Sequence, residues 1–120
     1  MSKTFLLLGA LAGATGVALG AFGAHALRNR LSPEMLAVFE TGVRYQMYHA
    51  LALLAVAALE PRLGGYLLAT AGWAFVIGIV LFSGSLYVLA LTATSAFGIV
   101  TPVGGLAFLV GWAALALAAI

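Results

Sequence analysis

Apolar residues follow one another without alternation in four long stretches, about residues 4–26, 33–59, 66–92 and 102–120. Each approaches or exceeds the roughly 18 to 20 residues that cross a bilayer as a helix. A membrane barrel strand would alternate polar and apolar positions, and none of the four stretches does. Backbone groups in lipid must bond within their own segment, so long unbroken runs read as helices. The pattern predicts an all-α integral membrane four-helix bundle, a single transmembrane domain over residues 1–120. Short connections predict up-down-up-down order with both termini on one side.

The breaks sharpen this outline. Residues 27 to 31 form a short charged connection with Arg28 and Arg30. Ser32-Pro33-Glu34 predicts a helix start: a capping serine, a proline at the first helical position, and an acid near the positive end of the dipole. The piece from Pro33 to about Glu40 is mixed and is expected at the interface, a helical turn or two ahead of the membrane part beginning near Thr41. Gly42 lies between the two pieces and marks a bend. Glu60-Pro61-Arg62-Leu63-Gly64-Gly65 predicts a turn with a proline stop. Thr94-Ser95-Ala96-Phe97-Gly98 reads as an uncharged loop, after which Thr101-Pro102 repeats the cap-plus-proline start.

Small residues are not scattered. Gly9, Gly13, Gly16, Gly20 and Gly23 fall within roughly 80° of arc on the first helix. Glycine removes the side chain that holds two helices apart, so this face is expected to be a packing seam. A groove for a flat lipid or isoprenoid is the second reading. In the last segment Gly104, Ala107, Gly111, Ala114 and Ala118 recur at alternating spacings of three and four, a second small-residue seam.

Composition adds exclusions. Hydrophobic residues make up 65% of the chain and charged residues 7%. A soluble domain carries roughly a quarter charged residues, so this surface does not face water. The net charge of +2 comes from Lys3, Arg28, Arg30, Arg44 and Arg62 against Glu34, Glu40 and Glu60. No basic cluster follows a phosphate backbone, so nucleic acid is not an expected partner. Cysteine is absent, which excludes disulfides and thiolate chemistry. Lys3, an apolar run and Ala24-His25-Ala26 have the outline of a secretory signal. The run is longer than a signal core, and its glycine stripe asks for a permanent partner, so a membrane helix is expected. Lys3 and Arg62 stand on the side of the termini, and Arg28 and Arg30 on the other, which leaves the positive-inside count close to a tie.

One stretch concentrates the polar chemistry: Glu40-Thr41-Gly42-Val43-Arg44-Tyr45-Gln46-Met47-Tyr48-His49. Relative to Glu40 on a helical wheel, Arg44 falls at about 40°, Tyr48 at about 80°, Tyr45 at about 140° and His49 at about 180°. Gln46 points elsewhere, at about 240°. Glu40 and Arg44 are four apart with the acid first, the favoured order for a helical ion pair. Tyr45 and His49 share that spacing. An ionised side chain at bilayer depth costs on the order of 3 kcal/mol or more, so it should be paired and inward-facing, or else snorkel to the headgroups. The candidate polar cluster is therefore His25, Glu40, Arg44, Tyr45, Gln46, Tyr48 and His49, completed by Ser83, Ser85 and Tyr87 from the third segment. His25 and His49 are candidates for proton relay, because histidine titrates near neutrality. His25, His49 and Glu40 lack the spacing of a metal site, so no metal and no cofactor is expected. Ser83-Gly84-Ser85 sits in a membrane helix rather than a strand-turn-helix and is no nucleophile elbow, so no catalytic residue is assigned.

Several of these runs together resemble a known family. They are Gly20-Ala21-Phe22-Gly23-Ala24-His25, Thr41 through Leu51, Leu81-Phe82-Ser83-Gly84-Ser85-Leu86-Tyr87, Thr101-Pro102-Val103-Gly104-Gly105 and Gly111-Trp112. In this order they are similar to the small membrane proteins typified by bacterial YgdD and YwdK, a family labelled as a domain of unknown function. The resemblance covers nearly the whole chain. It implies a four-helix protein of the bacterial cytoplasmic (inner) membrane, and it implies no activity, substrate or catalytic residue. Some members of that family carry a basic C-terminal tail, which favours cytoplasmic termini; this chain ends at Ile120 without one.

Two functions from different classes fit these residues. One is a compact structural or binding module that packs with another membrane protein or a second copy of itself, or holds a lipid-like ligand. The other is a small oligomeric ion or proton transporter or channel built on the polar cluster. An intramembrane enzyme would require chemistry at His25 or His49.

Overall fold

The computed structural model describes residues 1–120. Four helices fill the chain: α1 over Ser2–Leu27, α2 over Pro33–Leu63, α3 over Gly65–Thr92 and α4 over Ser95–Ala118. α1 closes in a π turn at Gly23–Leu27, α3 carries a π turn at Ile79–Ser83, and α4 opens with a 3-10 turn at Ser95–Ile99. Three of these helices, α1, α3 and α4, are long and apolar enough to cross a membrane. α2 is longer than any of them but carries the polar stretch in its first half.

Helix starts and stops follow local chemistry. Ser32 Oγ accepts the Met35 N–H at 3.2 Å, with Pro33 in the first helical turn and Glu34 behind it. At the other end α2 runs through Pro61 to Leu63 rather than stopping at the proline. Pro61 removes a single backbone donor, and only Arg62 and Leu63, both exposed, follow it before the helix ends. The break falls at Gly64 and Gly65, whose φ of 56° and 77° lie where only glycine is comfortable. Thr101 is not a cap either: α4 is already α-helical from Val100, and the Thr101 hydroxyl turns inward instead. The expected loop at Thr94–Gly98 is mostly the 3-10 turn. Gly42 marks no break, because α2 is continuous across it.

The helices pack in antiparallel order. α1 lies along α2, α2 along α3, and α3 along α4. On α1, Gly9 abuts Leu53 and Leu54, Gly16 abuts Met47, Gly20 abuts Val43, and Gly23 abuts Phe39. The α2 side chains thus cover the glycine stripe at Gly9, Gly16, Gly20 and Gly23. Gly13 meets nothing within 4 Å. On α4, Gly104 receives the backbone of Phe82 and Gly111 the ring of Phe75, while Gly78 on α3 receives the ring of Phe108. Ala114 is buried on the same side of α4, and Ala107 and Ala118 are half-buried.

Two apolar clusters hold the bundle. The larger includes Phe5, Leu53, Val56, Leu68, Phe75 and Phe108. The smaller, toward the start of α2, is Leu27, Phe39 and Ala90. Large apolar residues also cover the outside, among them Leu7, Val17, Leu106 and Leu109. A surface apolar on both faces is the signature of a bundle solvated by lipid.

Candidate functional site

Between the two apolar clusters lies a polar layer. It is built where α2 passes from Gly42 through Gln46 to His49, and these three residues are buried. Three separate nodes make it up.

Gln46 is the first. Its Nε2 donates to the Ala12 carbonyl at 2.8 Å and to Thr15 Oγ1 at 2.8 Å, both on α1. Its Oε1 accepts the Tyr87 hydroxyl of α3 at 2.6 Å. Thr15 in turn donates to the Leu11 carbonyl at 2.8 Å. One side chain therefore ties three helices. Beside it Gly16 leaves room for the Met47 side chain, which a Cβ there would strike.

His49 is the second. Trp112 Nε1–H donates to His49 Nε2 at 3.1 Å, and His49 Nδ1 lies 2.7 Å from the Tyr45 carbonyl. Indole has only a proton to give and a carbonyl only lone pairs, so Nδ1 carries the proton and Nε2 is bare. The imidazole is a neutral bridge between α2 and α4. Its ring stacks on Phe108 with centroids 3.5 Å apart and planes 7° from parallel.

The serines of α3 form the third. Ser83, in the π turn, donates to the Gly42 carbonyl at 2.7 Å. Ser85 donates to the Phe82 carbonyl at 2.9 Å and sits 2.6 Å from Thr101 Oγ1, whose proton makes that bond. A Cβ on Gly42 would lie 2.8 Å from the Tyr87 ring, so glycine is what lets α2 and α3 approach here.

The remaining polar residues stand apart. His25 is exposed at the end of α1. Glu40 and Arg44 are exposed, and they border a shallow surface depression with Gly20, Phe39 and Val43. They form no ion pair: the one salt bridge joins the N-terminal ammonium of Met1 to Glu60 at 3.6 Å. Arg44 instead donates to Thr41 Oγ1 at 3.2 Å. Tyr45 and Tyr48 are exposed at the side of α2, their rings 5.7 Å apart. His and Glu side chains nowhere gather in threes, so His25, His49 and Glu40 do not converge on a point where a metal would sit.

Beside the layer a groove of about 390 Å³ opens between α2 and α4, walled by Tyr45, Tyr48, His49, Phe82, Phe108 and Trp112. The sequence pattern alone did not place Thr15, Thr101, Phe108 or Trp112 in the polar cluster, and it read Thr101 as a helix cap. Thr15 falls between two stripe glycines, Gly13 and Gly16, and Trp112 follows Gly111. Polar or indole groups next to a packing seam are the signal that locates them.

No solved structure matches the chain. The family model described as "Protein of unknown function (DUF423)" matches residues 19–105. The UPF0382 membrane protein YwdK of Bacillus subtilis is 49% identical over 98% of this chain and 97% of its own length. A UPF0382 membrane protein of Haemophilus influenzae is 46% identical over 97% of this chain and 93% of its own. The UPF0382 inner membrane protein YgdD of Escherichia coli is 42% identical over 99% of this chain and 91% of its own. A family model covering most of the helical bundle, with relatives matched along nearly their whole length, places the chain in the DUF423 family of multi-helix membrane proteins.

Proposed function

We propose that this protein is a compact, non-catalytic module of the bacterial cytoplasmic membrane that holds a lipid-like ligand at its side or packs there with a membrane partner. One observation carries the reading: each hydrogen-bond chain in the polar layer ends on a backbone carbonyl. Tyr87 leads through Gln46 and Thr15 to the Leu11 carbonyl, Trp112 leads through His49 to the Tyr45 carbonyl, and Ser83 ends on Gly42. A carbonyl accepts a proton bond and passes nothing on. The layer therefore stitches helices together and offers no relay across the monomer. The openings are lateral, and the groove between α2 and α4 is the one that borders His49 of the polar layer.

Helix lengths fit a span. Glu60 follows Glu40 by twenty residues, about 30 Å of helix, the thickness of the hydrocarbon core. Glu40 and Glu60 then mark the two interfaces, Arg44 reaches back to the headgroups, and the first turns of α2 stand outside. Both termini lie on one side, taken as cytoplasmic.

The alternative is a proton or ion conductor. Purified protein in liposomes carrying an internal pH dye is expected to sustain no proton or cation flux between pH 5 and pH 8. Flux above empty liposomes that disappears in His49→Phe would overturn the proposal.

A further inference from the structure

We infer that the groove between α2 and α4 is a site for one anionic phospholipid of the surrounding bilayer, with its phosphate on Arg44 and an acyl chain against the aromatic wall. The inference rests on the lipid-holding reading above and gives that site its ligand.

Charge places the head. Arg44 has no carboxylate partner, since Met1 and Glu60 form the only salt bridge. Its guanidinium is drawn to Thr41 Oγ1 at 3.2 Å. Thr41 precedes Tyr45 by four residues and Tyr48 by seven, so it stands on their face of α2, one and two turns nearer the interface. Side chains on a helix lean toward its N-terminus, which carries both tyrosines up toward Thr41. The guanidinium thus stands about a turn above Tyr45, beyond the residues that wall the groove, with one of its donors used and the rest free. A fork of free donors is matched by phosphate oxygens.

Shape places the chain. Gly105, Phe108 and Trp112 follow one another along α4, about 10 Å of wall parallel to the helix axes. Gly105 keeps that wall low, the nearest atom to a Cβ there being Phe82 Cδ2 at 3.8 Å. The lining is almost entirely ring and methylene carbon. Running along the bilayer normal from the level of Arg44 inward, it suits a hydrocarbon chain rather than a polar solute. The side of the groove is open, so a lipid enters from the bilayer without any helix moving.

The test weighs intact protein by native mass spectrometry after exchange into detergent holding equal amounts of phosphatidylglycerol and phosphatidylethanolamine with identical chains. One phosphatidylglycerol per chain is expected, at roughly tenfold higher occupancy than phosphatidylethanolamine, whose ammonium offsets the charge that its phosphate presents to Arg44. Arg44→Gln lies on the exposed surface and should fold normally by circular dichroism while losing that preference. Lys3→Gln, at the opposite end of the bundle, should keep it. Gly105→Leu fills the groove and should lower the retention of both lipids.

Equal retention of the two lipids, or an undiminished preference in Arg44→Gln, would overturn the assignment and leave lipid binding standing. No retained lipid in any sample would remove both. A lipid-free dimer that Gly105→Leu splits would show that the groove takes a second copy of the chain, which also overturns the assignment.

Discussion

Gln46 commits both amide hydrogens and its carbonyl to other helices, more than any other side chain in the molecule. Gln46→Leu keeps the volume and strands the Tyr87 hydroxyl. The loss should be about 2 kcal/mol, given roughly 0.6 to 1.7 for single interhelical bonds in lipid. Tyr87→Phe on top of it should cost far less than it does alone, because the bond it removes is already gone. Unfolding of the purified single and double variants in detergent measures this, and strict additivity would sink the hub. His49→Phe is the second case. It keeps a ring against Phe108 but strands the Trp112 N–H, for an expected loss of about 1 to 2 kcal/mol. Adding Trp112→Phe should change the melting point little further; a second full loss would mean the two rings are not paired. The helical wheel left Gln46 alone at the far side from Arg44 and Tyr48. A wheel orders residues around one helix but does not say where the neighbours stand. Here α1 and α3 lie on the Gln46 side, so the conspicuous Glu40–Arg44 pair faces outward and the isolated amide faces in.

Among elements, the glycines divide by what stands opposite them. At Gly104 a new Cβ would strike the backbone of Phe82, which has no rotamer with which to yield. Gly104→Ala should therefore destabilise the α3–α4 pair by several kcal/mol, on the scale of other overpacked core positions. Gly13→Ala meets nothing within 4 Å and should be neutral or slightly stabilising, since alanine is the better helix former. Thermal melts of the two variants side by side decide it: equal effects would mean the seams do not discriminate. The stripe itself was readable from spacing alone, because a period of three and four puts glycines on one face whatever the fold. Which member the partner leaves uncovered depends on the tilt between α1 and α2. Similarly, Ser32 and Pro33 announced the start of α2 correctly because a cap is a local event. Thr101 misled for the opposite reason: a tertiary contact outweighed the local cue, Ser85 drawing its hydroxyl inward. At Pro61 the helix runs on through two exposed residues to the glycines that end it.

For the whole molecule, the helix count and antiparallel order are legible in the chain itself, through apolar run length and the cost of bare backbone in lipid. Sidedness is not, because so few charges flank the helices. It is directly measurable, since the chain has no native cysteine. In bacterial cells, single cysteines at Ser2 and Ile120 should react with a membrane-impermeant maleimide only after the membrane is opened. A cysteine at Arg30 should react in intact cells. Labelling of Ser2 and Ile120 from opposite sides would refute the antiparallel span, and the reverse of both would invert its orientation.

Gly64 is the only residue between α2 and α3. One residue spans about 3.8 Å, so neither helix can wait outside the bilayer while the other enters. α2 is also the helix least suited to partition by itself, with Gln46 and His49 near its middle. It is expected to enter as one arm of a hairpin whose other arm brings the apolar surface. α1 leaves the ribosome earlier and already displays the Ala12 carbonyl and Thr15, the two acceptors of the Gln46 amide. Insertion is then expected to begin with α1 alone and to continue with the α2–α3 hairpin docking against it, ahead of α4, the nascent amide finding its partners as it arrives.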